Sequence, residues 1–214
     1  MKLLFIGNSH TYYNAMPETV LRLLEATGHK AHVSILTEGG KGLTYHAASP
    51  ATALNIRCGQ YDAIIAQDKS SGFDPSAFKD GAKAIKQMPD RASTPLVLYM
   101  PWVSKTKRAN QQIMTDAYQH FCQTNHCLLA PAGEVFFRML SGDGPDLLYH
   151  EDGNHASPIG SYLAAVTIFY TVTGRKRIIN VEDMADPGIA AGFSPEICQR
   201  IHTEACRMSR LYNG

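Results

Sequence analysis

A serine placed just after a short apolar run, and an aspartate and histidine three residues apart ahead of a helix start, are the residue types from which nucleophilic catalysis is assembled. The run Lys2 to Gly7 leads into Gly7-Asn8-Ser9-His10-Thr11, which puts Ser9 past the carboxyl end of a strand, where open α/β sheets present their ligands. Far along the chain, Asp152-Gly153-Asn154-His155 precedes Ser157-Pro158. A serine hydroxyl is a weak nucleophile that needs a base, and the base needs a carboxylate to fix its tautomer. His155 offered to Ser9 by its loop, with Asp152 behind it, meets both needs. No G-x-S-x-G occurs in the chain, so the strained nucleophile elbow of α/β-hydrolases is not the source of the serine. Each piece also has a plainer reading. Gly, Asn, Ser and Thr make turns and caps, and Asp152 to His155 can be a polar turn. The Gly7 to Thr11 loop also suits a phosphate, as in a flavodoxin-like phosphate or nucleotide binder. That alternative leaves Asp152 and His155 without a task.

The elements that must position these residues are legible from the pattern. Apolar runs at Lys2 to Gly7, Ala31 to Leu36, Tyr61 to Gln67, Pro95 to Met100 and Cys127 to Ala130 alternate with segments of helical period, which argues for a parallel sheet covered by helices. Pro17 to Thr27, with Gly28 as its stop, reads as a helix, as do Asp74 to Met88 and Lys107 to Thr124. Ser157-Pro158 followed by Ile159 to Thr173 and Gly174 supplies an N-cap, a first-turn proline and a C-terminal glycine for a long buried helix. Ser194-Pro195-Glu196 opens a last amphipathic helix. Right-handed crossovers then predict one three-layer α/β/α domain over residues 1–214, a flavodoxin-like five-stranded parallel sheet in the order 2-1-3-4-5.

Composition narrows the function classes. At 214 residues and 44% apolar content, the chain has one core's worth of apolar residues. Twenty Lys and Arg against nineteen Asp and Glu leave a net charge of +1, with no basic stripe of the kind nucleic acid requires. The apolar stretch Tyr162 to Tyr170 is far shorter than the roughly 20 residues of a membrane span. Lys2 is followed by too few apolar residues for a signal peptide, so the expected compartment is the cytoplasm, or the periplasm or exterior if a leader has been removed. The five cysteines form no disulfide framework. Cys122 and Cys127, beside His120 and His126, lack the two tight ligand pairs of a structural zinc site, so no metal is expected, and serine nucleophilic chemistry requires no cofactor.

Leu4-Phe5-Ile6-Gly7-Asn8-Ser9-His10-Thr11-Tyr12-Tyr13-Asn14 and Asp152-Gly153-Asn154-His155-Ala156-Ser157 resemble the first and last blocks of the SGNH hydrolases, the GDSL-type esterases and lipases, and the resemblance extends from Phe5 to about Gly174. It implies Ser9 as nucleophile, His155 as base and Asp152 as its orienter. It also implies an oxyanion glycine within Glu38 to Leu43, at Gly40. Asn8 stands where G-D-S-L has Asp, and Ala66-Gln67-Asp68 stands where the family has G-x-N-D. A branch with GNS and Gln looks similar, which transfers the side-chain oxyanion role to Gln67. Physically, the N–H of Ser9, the N–H of Gly40 and the Gln67 amide come from three adjacent strand ends and could together hold developing negative charge.

Trp102 follows Pro101 at the fourth strand's end. With Tyr12, Tyr13 and Tyr45 on neighbouring loops, it reads either as core or as a wall on which a sugar or acyl chain stacks. His10 lies beside the nucleophile and is grouped with the substrate contacts. His10, His46 and His150 otherwise read as surface histidines, and His150 is the rival to His155. The expected activity is hydrolysis of small acyl esters, O-acetyl or other short-chain, on a small molecule or carbohydrate. Oligomeric state is left open.

Overall fold

The computed structural model describes residues 1–89, 94–141 and 147–214. Its strands are β1 (Lys2–Gly7), β2 (His32–Thr37), β3 (Ala63–Ala66), β4 (Leu96–Tyr99) and β5 (Leu128–Ala130). They form one parallel sheet in the order β2-β1-β3-β4-β5, as the alternation of runs predicts. In sequence order the helices are α1 (Ser9–Tyr12), α2 (Met16–Ala26), α3 (Leu43–Ala48), α4 (Pro50–Gly59), α5 (Pro75–Lys86), α6 (Gln111–Asn125), α7 (Ala132–Leu140), α8 (Pro158–Thr173), α9 (Pro187–Ala190) and α10 (Pro195–Asn213).

Side chains alternate across the pleat and divide the core in two. Leu3 and Phe5 of β1, Ile65 of β3 and Val97 and Tyr99 of β4 face Val20 and Leu24 of α2, Phe169 of α8 and Ile201 of α10. Leu4 and Ile6, Ile64, Leu96 and Leu98 face Leu43 of α3, Phe78 and Ile85 of α5 and Met114 and Tyr118 of α6. β1 is an interior strand, buried from Leu3 to Ile6, with Phe5 opposite Ile35 on one side and Ile65 on the other. Its carboxyl end, and therefore Ser9, is held from both neighbours.

Helix starts follow the capping signals. Ser157 Oγ accepts the Gly160 N–H at 3.2 Å, Asp74 Oδ1 accepts that of Ala77 at 2.8 Å, and Ser194 Oγ accepts that of Ile197 at 3.4 Å, each relieving an orphan donor of the first turn. α8 is buried from Gly160 to Thr171 without a break, and it ends at Gly174 with φ of 60°. Its first turn presses on the preceding loop so closely that a Cβ on Gly160 would stand 2.2 Å from the Leu148 carbonyl oxygen. Among the described residues, no helix is long and apolar enough to cross a membrane.

Candidate active site

Asn8 organises the turn between β1 and α1. Its N–H donates to Gln67 Oε1 at 3.1 Å, its Oδ1 caps α1 by accepting the His10 N–H at 3.1 Å, and its Nδ2 donates to the Lys41 carbonyl at 2.8 Å. Gly7 is required here because a Cβ would lie 2.3 Å from Thr11 Oγ1 and 2.7 Å from Gln67 Oε1. His46, buried at 4% exposure rather than on the surface as expected, lies with Nε2 2.8 Å from the Gly7 carbonyl. A carbonyl oxygen only accepts, so this nitrogen carries the proton. Burial pushes the His46 pKa down.

The second half of the site is the loop before α8. A single bridge pairs Tyr149 with Ala156, and the His150 N–H donates to the His155 carbonyl at 2.8 Å, closing a tight turn in which Gly153 takes φ of 65°. Asp152 Oδ1 accepts the N–H groups of Asn154 and His155, both at 2.9 Å. Its Oδ2 lies 2.6 Å from His155 Nδ1. The far ring nitrogen, Nε2, is 2.8 Å from Ser9 Oγ. A carboxylate at Nδ1 fixes the proton there and leaves Nε2 free to accept the serine proton. Burial opposes ionisation of Asp152, but the hydrogen bonds from the His155 ring and from the Asn154 and His155 N–H groups outweigh it and hold the carboxyl well below the usual carboxylate range. His150 is apart from this line: its Nδ1 is 3.6 Å from Asp152 Oδ2, with an exposed side chain.

Ser9 opens on a cavity of about 70 Å³ bordered by Asn8, His10, Gly40, Lys69, Ser70, Ser71 and Asn154. The N–H of Ser9 and the N–H of Gly40, the latter in a turn with φ of 71°, make no hydrogen bond among the described residues. Both are thus available to a ligand. A larger groove of about 970 Å³ runs between the C-terminal ends of α8 and α10, past Arg175 and Arg210, and contains none of these groups.

Three more expectations are corrected. Gln67 is completely buried and does not reach the cavity: Oε1 accepts from Asn8 N–H and from Thr11 Oγ1 at 2.8 Å, while Nε2 donates to the Asp68 carbonyl. Two donors need its oxygen, so the amide is turned inward and serves the nucleophile turn. Trp102 is fully buried, stacked on Phe136 with ring centres 4.3 Å apart and planes at 9°, so it offers no wall to a substrate. Its indole N–H instead supports the loop before α8, donating to the Asn154 carbonyl at 3.0 Å. His10 borders the cavity, yet the residue is only 6% exposed, against the expected surface position. Neither ring nitrogen has a partner among the described residues. The ring lies 5.3 Å from both Trp102 and His155.

Tyr12 and Tyr45 keep 40% and 47% exposure and stand beside the Gly39 to Lys41 turn, Tyr12 through its hydroxyl near Gly39 and Tyr45 under the Lys41 ammonium. Neither borders the cavity. The sequence placed Tyr13 only among the loop tyrosines near Trp102, whereas its ring stacks on His155, and it gave no role to Asn154 or Ser71. Asn154 was marked only by its place next to His155.

No protein-family model matches the sequence, and no curated protein matches it. Solved structures do. A protein assigned as an SGNH hydrolase from Slackia heliotrinireducens is 25% identical with a TM-score of 0.69, covering 80% of this chain and 98% of that one. A DUF4886 family protein from Bacteroides uniformis is 22% identical with a TM-score of 0.75, covering 99% and 95%. Axe2, an acetylxylan esterase from Geobacillus stearothermophilus, is 15% identical with a TM-score of 0.64, covering 81% and 94%. The fold is that of the SGNH hydrolases, and the likeness to the Slackia protein supports the SGNH superfamily.

Proposed function

We propose that this member of the SGNH/GDSL superfamily is a serine ester hydrolase acting through a covalent acyl-enzyme on short acyl groups, O-acetyl foremost. The observation that carries the reading is the continuous line from Ser9 Oγ through His155 to Asp152, at 2.8 and 2.6 Å. In it, Ser9 Oγ attacks the ester carbonyl, His155 Nε2 takes the hydroxyl proton and returns it to the leaving alcohol, and Asp152 stabilises the imidazolium between the two steps. Water then repeats the sequence on the acyl-enzyme.

The cavity beside Ser9 supports a small acyl group, since about 70 Å³ bordered by Ser70, Ser71, Asn154 and Lys69 leaves no apolar channel for a long chain. Its hydroxyl and amide lining suits a polar alcohol, and an acetylated carbohydrate fits that description, in keeping with the acetylxylan esterase among the neighbours. The phosphate-binding alternative loses support from the turn itself. The N–H groups of Asn8, His10, Thr11 and Tyr12 are all bonded within the protein, leaving one free donor where a phosphate cradle needs several.

Treatment with a fluorophosphonate, with the adduct located by peptide mass, tests the reading together with a series of p-nitrophenyl esters. Labelling at Ser9 and a preference for acetate over octanoate are expected. Bound phosphate with no labelling would replace the esterase by the binder.

A further inference from the structure

We propose that Asn154 is a catalytic residue whose side-chain amide completes the oxyanion hole, the place that Gln67 leaves empty; the inference rests on the ester-hydrolase reading above. When Ser9 Oγ bonds to the carbonyl carbon, the C=O π pair moves onto oxygen and the serine proton passes to His155 Nε2. The charge then resides on one oxygen, and each preorganised donor aimed at it lowers the barrier. Ser9 N–H and Gly40 N–H are two unpartnered donors on the same cavity. Gln67 cannot be a third, because both ends of its amide are engaged beneath the turn.

Asn154 borders that cavity together with Ser9 and Gly40, and its other polar groups are engaged. Its N–H donates to Asp152 Oδ1 at 2.9 Å and its carbonyl accepts the Trp102 indole N–H at 3.0 Å. Its Oδ1 accepts the Ser71 hydroxyl at 2.8 Å. Only Nδ2 donates to nothing among the described residues. A side chain clamped through its oxygen, with the backbone fixed on both sides, presents a preorganised N–H pair, which is the property that makes a donor effective in a transition state rather than merely adhesive. Ser71, on the exposed loop after β3, is the positioning residue that turns the amide.

The test is steady-state kinetics on p-nitrophenyl acetate with Asn154→Ala, Asn154→Asp, Ser71→Ala and the Asn154→Ala/Ser71→Ala double variant, each checked by thermal melting. Asn154→Ala should lower kcat about 100-fold with KM nearly unchanged, and Asn154→Asp should lower it further because a carboxylate repels the oxyanion. Ser71→Ala should lower kcat about 10-fold in the parent and not at all once Asn154 is alanine, since it acts only through that amide. An active parent whose Asn154→Ala variant keeps kcat within about threefold would overturn the role of Asn154 alone. A parent that neither turns over esters nor labels at Ser9 overturns the esterase reading with it. Should Asn154→Ala fail to fold, Ser71→Ala decides: an unchanged kcat in this exposed-residue variant overturns the proposal.

Discussion

The Tyr13 ring lies almost parallel to the His155 imidazole, centroids 4.3 Å apart and planes at 12°. His10 flanks the same imidazole at 5.3 Å and 28°, and Trp102, stacked on Phe136, supports His10 in turn. A column of rings therefore runs from the exposed turn after α1 into the core. Its effect on function lies in the charge that His155 acquires: the aromatic face of Tyr13 attracts an imidazolium and is indifferent to a neutral ring, an interaction of about 0.5–2 kcal/mol. Tyr13→Phe keeps the face and should keep kcat, whereas Tyr13→Leu should lower it by about 3- to 10-fold without unfolding the protein. Equal losses in both variants would point to the hydroxyl instead.

Ser9 and His155 touch at 2.8 Å, and groups that act as one unit fail as one unit. Ser9→Ala and His155→Ala should each lower ester turnover by about 10³-fold or more, and the double variant should be scarcely slower than either. Losses that multiply would mean that the two residues contribute independently, which the proposed proton transfer does not allow. Circular dichroism should show all three variants folded, since Ser9 and His155 are only partly buried.

Gln67 supplies the acceptor for Asn8 N–H and Thr11 Oγ1 from a site with no solvent access. Gln67→Met retains the volume and orphans both donors, which should cost about 1–3 kcal/mol in urea unfolding. Gln67→Ala adds a cavity and should cost about 2–4 kcal/mol. An unchanged unfolding midpoint accompanied by a large drop in kcat would return Gln67 to the oxyanion hole.

That Ser9, Asp152 and His155 would stand together was legible because punctuation marks them: a serine at a strand end and an Asp-Gly-Asn-His turn before a capped proline helix are local signals, and the parallel topology carries them to the same edge of the sheet. The strand order was legible for the same reason. Side-chain direction was not. Gln67 and Trp102 both follow strand ends, where one residue of register decides between core and cleft, and only the demand of two buried donors at Asn8 and Thr11 shows that Gln67 turns inward. α3, α4 and α7 were not anticipated. α4 carries little apolar periodicity, with only Thr52 and Ile56 buried, and α7 begins directly after β5 with only Pro131 between, which leaves no connecting segment to mark its start. His10 was placed on the surface because nothing in Ser9-His10-Thr11 tells that its ring will be enclosed by Trp102 and His155.

That enclosure adds to the acid sensitivity of the protein. Burial pushes the His10 pKa down to about 3, with the charge of His155 adding to the effect and Asp152 opposing it. An unfolded chain takes up a proton on this imidazole near its ordinary value of 6.5, whereas the native state does not until about pH 3. Between those limits the unfolded state holds more protons, so native stability falls as the pH falls, and the full contribution is present only above the unfolded value. His10→Phe leaves an aromatic ring between Trp102 and His155 and removes the titration. The stability difference between the variant and the parent should therefore move in the variant's favour on acidification, by up to about 1.4 kcal/mol per pH unit below 6.5. Urea unfolding midpoints followed from neutral pH into the acid range will show it. Parallel curves for the two proteins would mean that His10 takes up its proton in the native state, and that its two unpartnered nitrogens are open to water.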